Sequence, residues 1–586
     1  MPSHWTQGLR DKRQRVRSLG VCVVCCKDRA ETGKTVCTVC RASAVQRVRK
    51  LRERRREERL KHAEARMLKT AGDSAFSRFA YIAAYQQYQQ ALDGPNSDIE
   101  REKLLKRMAW CHLHGARPEY AMQWFEKELE QCLAVDALRE TAPWVAREIA
   151  FYCWIELRTP DALEYLKNAH EISRYIHSGR TRHSFRRKLH TLFARNLTFL
   201  GRYAEATTYF SPGNPREPGA QTTSRLIYLN QQAIFYATGG QAEEAFREFD
   251  RALEAAKSAP MGGNYLVMIL DDYADWAMTL GRLDIARNCY EQALLVARER
   301  QISWRIPYFM LRTANLFVRA GNYERARVML IDSLGYDTKT PLVSVLRSTL
   351  ALELSHILHN SDLVTRAADD DALELAFRSH EPRHIGPLAA AHVRIAVAAG
   401  NLRRAKTLIS RTIAGTTTVD ACADLFVLAA RYGSLADAMY AKDRLTERLK
   451  LPNGHVARAY LNLWEAQKAL RARSMIQAHR HAEKAARAFG RFGWKHHQME
   501  SLQLCGRPLK RGQRATGVSS SLFGKFDSTL TQRERQVAEH VLRGLTNRAI
   551  AEILNLSEHT VESHVSSLLG RLGLRSRWQL TRFDED

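Results

Sequence analysis

Two Cys-x-x-Cys pairs, Cys22-Val-Val-Cys25 and Cys37-Thr-Val-Cys40, are separated by eleven residues. Four thiolates so placed can surround a tetrahedral Zn2+ at about 2.3 Å, and Gly33 is available for a turn between them. The separation is shorter than the roughly 15–20 residues of the common ribbon pattern. Cys26 adds a fifth thiol that could exchange into the coordination shell or stand spare. A structural zinc, a redox dithiol and unliganded thiols are therefore three open readings of the same residues.

Two further patterns suggest chemistry and then withdraw it. His380-Glu381-Pro382-Arg383-His384 has the spacing of a zinc peptidase motif, which needs both histidines on one helical face. Pro382 cannot donate the helical bond and clashes with the preceding turn. Gln301 to Arg305, 79 residues earlier, occupies the same joint in the repeats described below. Gly33-Lys34-Thr35 ends like a phosphate-binding loop, yet Asp28 stands where its first glycine belongs. No local set of serine, histidine and carboxylate singles out catalysis, so neither a reaction nor ATP is expected.

The helices able to position a binding surface are clearest near the C-terminus. Thr531 and Glu534 have the spacing of a capping box, which predicts a helix start. Gln536, Val537, Val541 and Leu542 follow at helical spacing up to Gly544, suited to closing that helix. A second short helix is expected from its N-cap Thr546 through Ile550 and Ala551 to Leu554, with Ala551 small where two helices must nearly touch. Asn555-Leu556-Ser557 makes a tight turn, and Ser557 caps a third helix, spanning about 558–571, in which Val561, Val565, Leu568 and Leu572 recur at helical steps. Such a helix is about 21 Å long and fits a major groove roughly 12 Å wide, with its N-terminal residues at the base edges.

The order Leu-Thr-x-Arg-Glu (530–534), Gly-Leu-Thr-Asn-Arg-x-Ile-Ala (544–551), Leu-Ser-x-x-Thr-Val-x-Ser-His (556–564) and Leu-Gly-Leu-Arg-Ser-Arg (572–577) resembles the LuxR-type DNA-binding domain over residues 528–583. The resemblance implies a sequence-specific transcriptional regulator acting on double-stranded DNA. It implies that Asn547, Arg548, His564 and Arg571 touch phosphates while Thr560, Val561, Glu562 and Ser563 face bases. Glu562 departs from the Lys or Arg that many members carry there. A carboxylate repels phosphate but can accept a bond from cytosine N4, so base preference should differ. A fourth helix around Arg577 to Arg582, with Leu580 apolar, looks like the family's dimer contact. A homodimer would read two half-sites about one turn apart.

Between these ends a short phrase recurs: Gly201-Arg-Tyr-Ala-Glu-Ala, Gly240-Gln-Ala-Glu-Glu-Ala, Gly281-Arg-Leu-Asp-Ile-Ala, Gly321-Asn-Tyr-Glu-Arg-Ala, Gly400-Asn-Leu-Arg-Arg-Ala and Gly433-Ser-Leu-Ala-Asp-Ala. The spacings are 39, 41, 40, 79 and 33 residues, so 79 hides a degenerate copy near Asn360, and weaker copies stand at Gly115 and Arg158. Apolar residues keep helical time around each phrase, as Leu189, Leu192, Phe193, Leu197 and Leu200 do before one turn. About nine stacked helix hairpins are expected. They resemble tetratricopeptide repeats in a longer form and the helical arrays of large LuxR-type regulators, with Ala488 to Trp494 and Leu504-Cys-Gly506 like a closing phrase. Trp110, Trp124, Trp144, Trp154, Trp276 and Trp304 are expected to fill the core. Such a solenoid commonly holds a protein or small-molecule effector on a long concave surface.

The predicted architecture is all-α. It comprises a compact four-cysteine zinc knuckle (1–45), a basic helix or linker (46–72), tetratricopeptide-like repeats (73–505), a flexible Gly/Ser-rich linker (506–527) and a four-helix LuxR-type helix-turn-helix domain (528–586). Of eleven cysteines, the six outside residues 22–40 stand singly in helical sequence and read as reduced core residues. The formal net charge is +27, and residues 1–70 hold 20 Lys and Arg against 7 Asp and Glu. That bias suits phosphate contact by the run from Arg41 to Lys69, or an exposed charged helix. With no run of apolar residues long enough to span a bilayer and no secretion signal, a cytoplasmic, nucleoid-associated protein is expected. Two other functions fit the same features: an interaction scaffold anchored to DNA without sequence choice, and a zinc or redox sensor acting through the N-terminal cysteines.

Overall fold

A helix can reverse direction cheaply where its closing residue tolerates positive φ, and most of the recurrent glycines supply that residue. In a computed structural model of the chain, Gly201, Gly240, Gly281, Gly321 and Gly400 take φ between +73° and +81°. After each, the next N–H reaches back five residues to close the turn: Arg202 to the Leu197 carbonyl at 2.8 Å, Arg282 to Ala277 at 2.7 Å, Asn401 to Ala396 at 2.8 Å. The alanine five positions after the glycine, such as Ala245, Ala286, Ala326 or Ala405, is completely buried where the returning helix crosses its neighbour.

The structure describes residues 36–504 and 531–571, apart from 116, 118–119, 210–222, 259–262, 339, 415–418, 451–453, 543–546 and 555, together with scattered positions before 36. Among the described residues the extended elements are helices, matching the all-α expectation. Hairpin follows hairpin: Thr223–Thr238 with Ala242–Ser258, Gly263–Thr279 with Leu283–Glu299, Arg305–Arg319 with Tyr323–Ser333, and so on to His455–Arg471 with Met475–Arg491. The hidden copy is real and turns on His359 (φ 52°), with the Asn360 N–H bonded to the Ser355 carbonyl at 3.1 Å. The copy at Arg158 likewise turns on Leu157 (φ 53°). Gly433 differs. It does not take positive φ, and Ser434 instead caps the next helix in a full capping box with Asp437. A Cβ on Gly433 would stand 2.8 Å from the Ala429 carbonyl, so the residue is required for closeness rather than handedness.

Gln301 and His380, 79 residues apart in sequence, both adopt left-handed backbone (φ 52° and 54°). His380 therefore stands outside the helix Pro382–Ala398, while His384 lies inside it, and the two histidines share no helical face. Glu381 is instead a buried carboxylate, bonded by Arg383 Nε at 2.6 Å and by the Thr159 hydroxyl. Trp154 and Trp304 are buried, and Trp110, Trp124, Trp144 and Trp276 pack partly buried against the same core. The helix Pro341–Leu358 is the one candidate among the described residues long and apolar enough to cross a membrane, and it is packed among its neighbours with Leu342, Val343, Val345 and Leu354 buried.

The chain divides into two compact units, Met1–Met108 and Ala109–Asp586. In the first, one 40-residue helix, Thr38–Ser77, runs straight through the expected boundaries at 45/46 and 72/73. Arg47, Lys50, Arg52, Arg54, Arg55, Arg56 and Arg59 are exposed along it. Burial begins only at Ala65, Gly72 and Ala75. There Tyr88 crosses so closely that a Cβ on Gly72 would stand 2.6 Å from its ring, and the Tyr88 hydroxyl bonds Asp73 at 2.7 Å.

Candidate nucleic-acid interface

Three helices near the C-terminus build their own core. Gln532–Leu542, Asn547–Leu554 and Glu558–Arg571 bury Val537, Ala538, Val541, Ile550, Ala551, Val561, Val565 and Leu568 together. The first helix starts at the expected capping box: the Thr531 N–H and hydroxyl both donate to Glu534 Oε2 at 2.8 Å, and the Glu534 N–H donates to the Thr531 hydroxyl at 3.2 Å. Arg533 ties the first helix to the end of the second through the Leu554 carbonyl at 2.8 Å. Ser557 caps the third, accepting from the Thr560 N–H at 3.0 Å. The bond between the Ser557 and Thr560 hydroxyls, 2.7 Å, joins the cap to a proposed base-reading residue. Gly544, Thr546, Asn555, Leu572 and the expected fourth helix lie outside the described residues.

The third helix presents a defined outer face. Glu562 and Ser563 are exposed, Thr560 and His564 half-buried. Val561 requires correction: it is 0% exposed and belongs to the core, so it cannot face bases. At about 100° per residue, four consecutive positions span most of the helix circumference. One of them must point inward, and Val561 is in phase with Val565 and Leu568. Thr560 and Glu562 consequently stand about 160° apart on opposite shoulders, with Ser563 between them on the outward crest. Exposed His559, Ser566, Ser567 and Gly570 extend that crest, and a Cβ on Gly570 would meet nothing within 4 Å. These four were absent from the expected set, although their helical phase relative to Val561 could have found them. Ser566, Ser567 and Gly570 are small, which lets a groove wall approach the helix closely. Asn547 opens the second helix half-buried, whereas the side chains of Arg548 and Arg571 lie outside the described set.

At the opposite end, Cys22 and Cys25 lie outside the described residues. Cys37 is the N-cap of the long basic helix, and its Sγ accepts the Cys40 N–H at 3.4 Å. No group of three or more metal-ligating side chains is assembled among the described residues.

Residues 528–583 match the family model described as "Bacterial regulatory proteins, luxR family". The nitrate/nitrite response regulator NarP of Escherichia coli (strain K12) is 48% identical over 50 residues, covering 8% of this chain and 23% of NarP. The spore germination protein GerE of Bacillus subtilis (strain 168) is 42% identical over 50 residues, covering 8% of this chain and 68% of GerE. The chain thus spans about a quarter of the length of NarP and about two thirds of GerE. Yeast Tom70 aligns over 75% of this chain and 95% of its own at 13% identity, with a TM-score of 0.29. The repeat architecture rests on the hairpins themselves.

Proposed function

The chain belongs to the luxR family of bacterial regulatory proteins through its C-terminal domain, and from that premise we propose that it is a sequence-specific DNA-binding transcriptional regulator whose helical repeats sense a protein or small-molecule effector. The observation that carries this reading is the third helix of the C-terminal trio. Its inner face lies in the shared core, and its outer face, from His559 to Gly570, is polar and exposed, with small residues at Ser563, Ser566, Ser567 and Gly570. Thr560, Ser563 and Glu562 read base edges, while Asn547, Arg548, His564 and Arg571 hold phosphates. Two chains, paired through the C-terminal helix, read two half-sites about one turn apart.

Competition between a selected duplex and random duplex tests the regulator directly. A specific reader prefers its site by roughly a thousandfold or more, and a scaffold that binds DNA by charge alone does not. Within that assay, Glu562→Lys should steepen the log–log salt dependence of binding by about 0.9 and raise affinity for random duplex, because one phosphate gains a cation. An unchanged salt slope would place Glu562 away from the DNA.

The same reading includes a structural Zn2+ held by Cys22, Cys25, Cys37 and Cys40. Cys37 and Cys40 are one helical turn apart at a helix N-terminus, and an N–H already points at the Cys37 sulfur. Both features favour the thiolate that zinc requires. Bound there, the ion would fix the start of the basic helix, whose exposed arginines add a second contact to DNA phosphates. Metal analysis of the purified full-length chain should find one zinc per protomer, lost in Cys37→Ser; a metal content indifferent to that substitution would remove the site.

A further inference from the structure

Inside the repeats, N–H groups gather for which the chain provides no acceptor. Arg195, Arg312, Arg319 and Arg383 line one cavity of about 170 Å³, together with the carboxylates Asp272 and Asp275. Those acids are engaged: Asp275 pairs with Arg312 and accepts the Tyr290 hydroxyl at 2.7 Å, and Asp272 accepts from Asn230 at 2.7 Å. Behind the wall, Glu381 is taken by Arg383 and Thr159, and Asp271 accepts the Tyr308 hydroxyl at 2.8 Å. Arg195, only 5% exposed, feels the charge of Asp272 but makes no hydrogen bond through Nε, and its guanidinium lies 4.8 Å from Phe151 and 4.8 Å from Phe199. Arg319 lies over the Trp494 ring at 4.7 Å.

Nε of Arg195, Arg312 and Arg319, Nη2 of Arg383, Nδ1 of His384 and Nε1 of Trp494 are buried without a hydrogen-bond partner, while Nε2 of His384 faces Glu381 at 3.3 Å. Buried polar groups are ordinarily paired, and an uncompensated buried cation is among the most costly groups a fold can hold. Burial, together with the facing Arg383 and Arg319, pushes the Arg312 guanidinium down to about 10, and burial lowers His384 as well. The cavity wall carries four guanidinium groups against two carboxylates, and guanidinium forks match carboxylate and phosphate oxygens two at a time.

We infer that this cavity binds a small oxyanion-bearing ligand, a carboxylate or a phosphate, gripped by Arg195 and Arg319 with Arg312 and Arg383 around it. The inference rests on the sensing role proposed above and gives that role a ligand class. The lining also explains how occupancy could be felt at a distance. It draws on Arg195, Arg312, Arg383 and Tyr460, so one ligand ties together hairpins far apart in the sequence.

Calorimetric titration of the full-length chain, without DNA and at constant ionic strength, tests it with inorganic phosphate, succinate and uncharged glucose. At least one of the two anions should bind saturably and glucose should not, and the stronger anion identifies the oxyanion type. Arg195→Met and Arg319→Gln should each weaken binding at least tenfold, so the second variant serves if the first fails to fold. Arg411→Gln, whose guanidinium pairs with exposed Glu374, should bind as the parent does. Absence of saturable binding by either anion, leaving a cavity filled by water alone, would overturn the proposal, as would binding unchanged in the two cavity variants. Because no DNA is present, a chain that binds the anion but no specific duplex would refute the regulator and leave this site standing.

Discussion

Val561→Asp should unfold the C-terminal domain and abolish specific DNA binding, reducing operator affinity at least a hundredfold, while the helical repeats keep their structure. Val561 is completely buried among Val537, Val541, Ile550, Ala551, Val565 and Leu568. A carboxylate placed there meets no partner within an apolar cluster, which costs several kcal/mol. A domain of this size has a stability of only about 5 kcal/mol to give. Glu562→Ala, one residue along but exposed, should change stability by no more than about 0.5 kcal/mol and act only on base preference. Circular dichroism melting of residues 527–586 separates the two positions, since that segment's core cluster is drawn from its own three helices. If Val561→Asp lowered DNA affinity with melting unchanged, Val561 would be a base contact and the phase of the helix given above would be wrong.

The second large effect is on the repeats. Stability should fall steeply as pH drops from 7 to 5, because several histidines are buried in neutral form. Burial, reinforced by Arg305 and Arg300, pushes His114 down to about 3. Below the ordinary value near 6.5 the unfolded chain takes up a proton that the folded chain refuses. Each further pH unit then costs about 1.4 kcal/mol, or about 2 kcal/mol from His114 alone by pH 5. Burial lowers His384 and His496 in the same direction. Asp272 and Glu353, raised by burial, act with the opposite sign as pH falls through their raised values, and offset part of the loss. Asp424 does not add to the loss in this window. Burial alone would raise it, yet His497 at 2.9 Å and Arg394 at 3.4 Å hold it far below the usual range. Melting temperature against pH should show uptake of more than one proton on unfolding between pH 7 and 5, reduced by about one in His114→Gln. A flat profile across that interval would contradict the buried neutral histidines.

Local signals were the legible part of the sequence. The Thr531–Glu534 box, the Ser557 cap, the phrase glycines and even the hidden turn at His359 depend on residues within one helical turn of each other, where chemistry and spacing are sufficient. The error at Val561 was avoidable on the same grounds, because a run of four adjacent residues cannot share one face of a helix. The charged interior was not legible. Arg195, Arg312, Arg319 and Arg383 each sit in helices whose sequence reads as amphipathic, and an arginine there is ordinarily on the solvated side. Only the curl of the hairpins, which brings Thr159 to Glu381 and Arg319 to Trp494, buries them. Such long-range closure leaves no mark in local periodicity.

The central claim is that the outer face of Glu558–Arg571 chooses the chain's DNA sites. Mapping genomic sites bound by the intact protein, beside a Thr560→Ala, His564→Ala double variant, tests it most directly. The intact chain should occupy a discrete set of sites sharing a paired motif whose halves lie about one helical turn apart, and the variant should lose those sites while retaining weak, salt-sensitive binding throughout. The same discrete sites bound by both proteins, or no shared motif under the intact one, would contradict it.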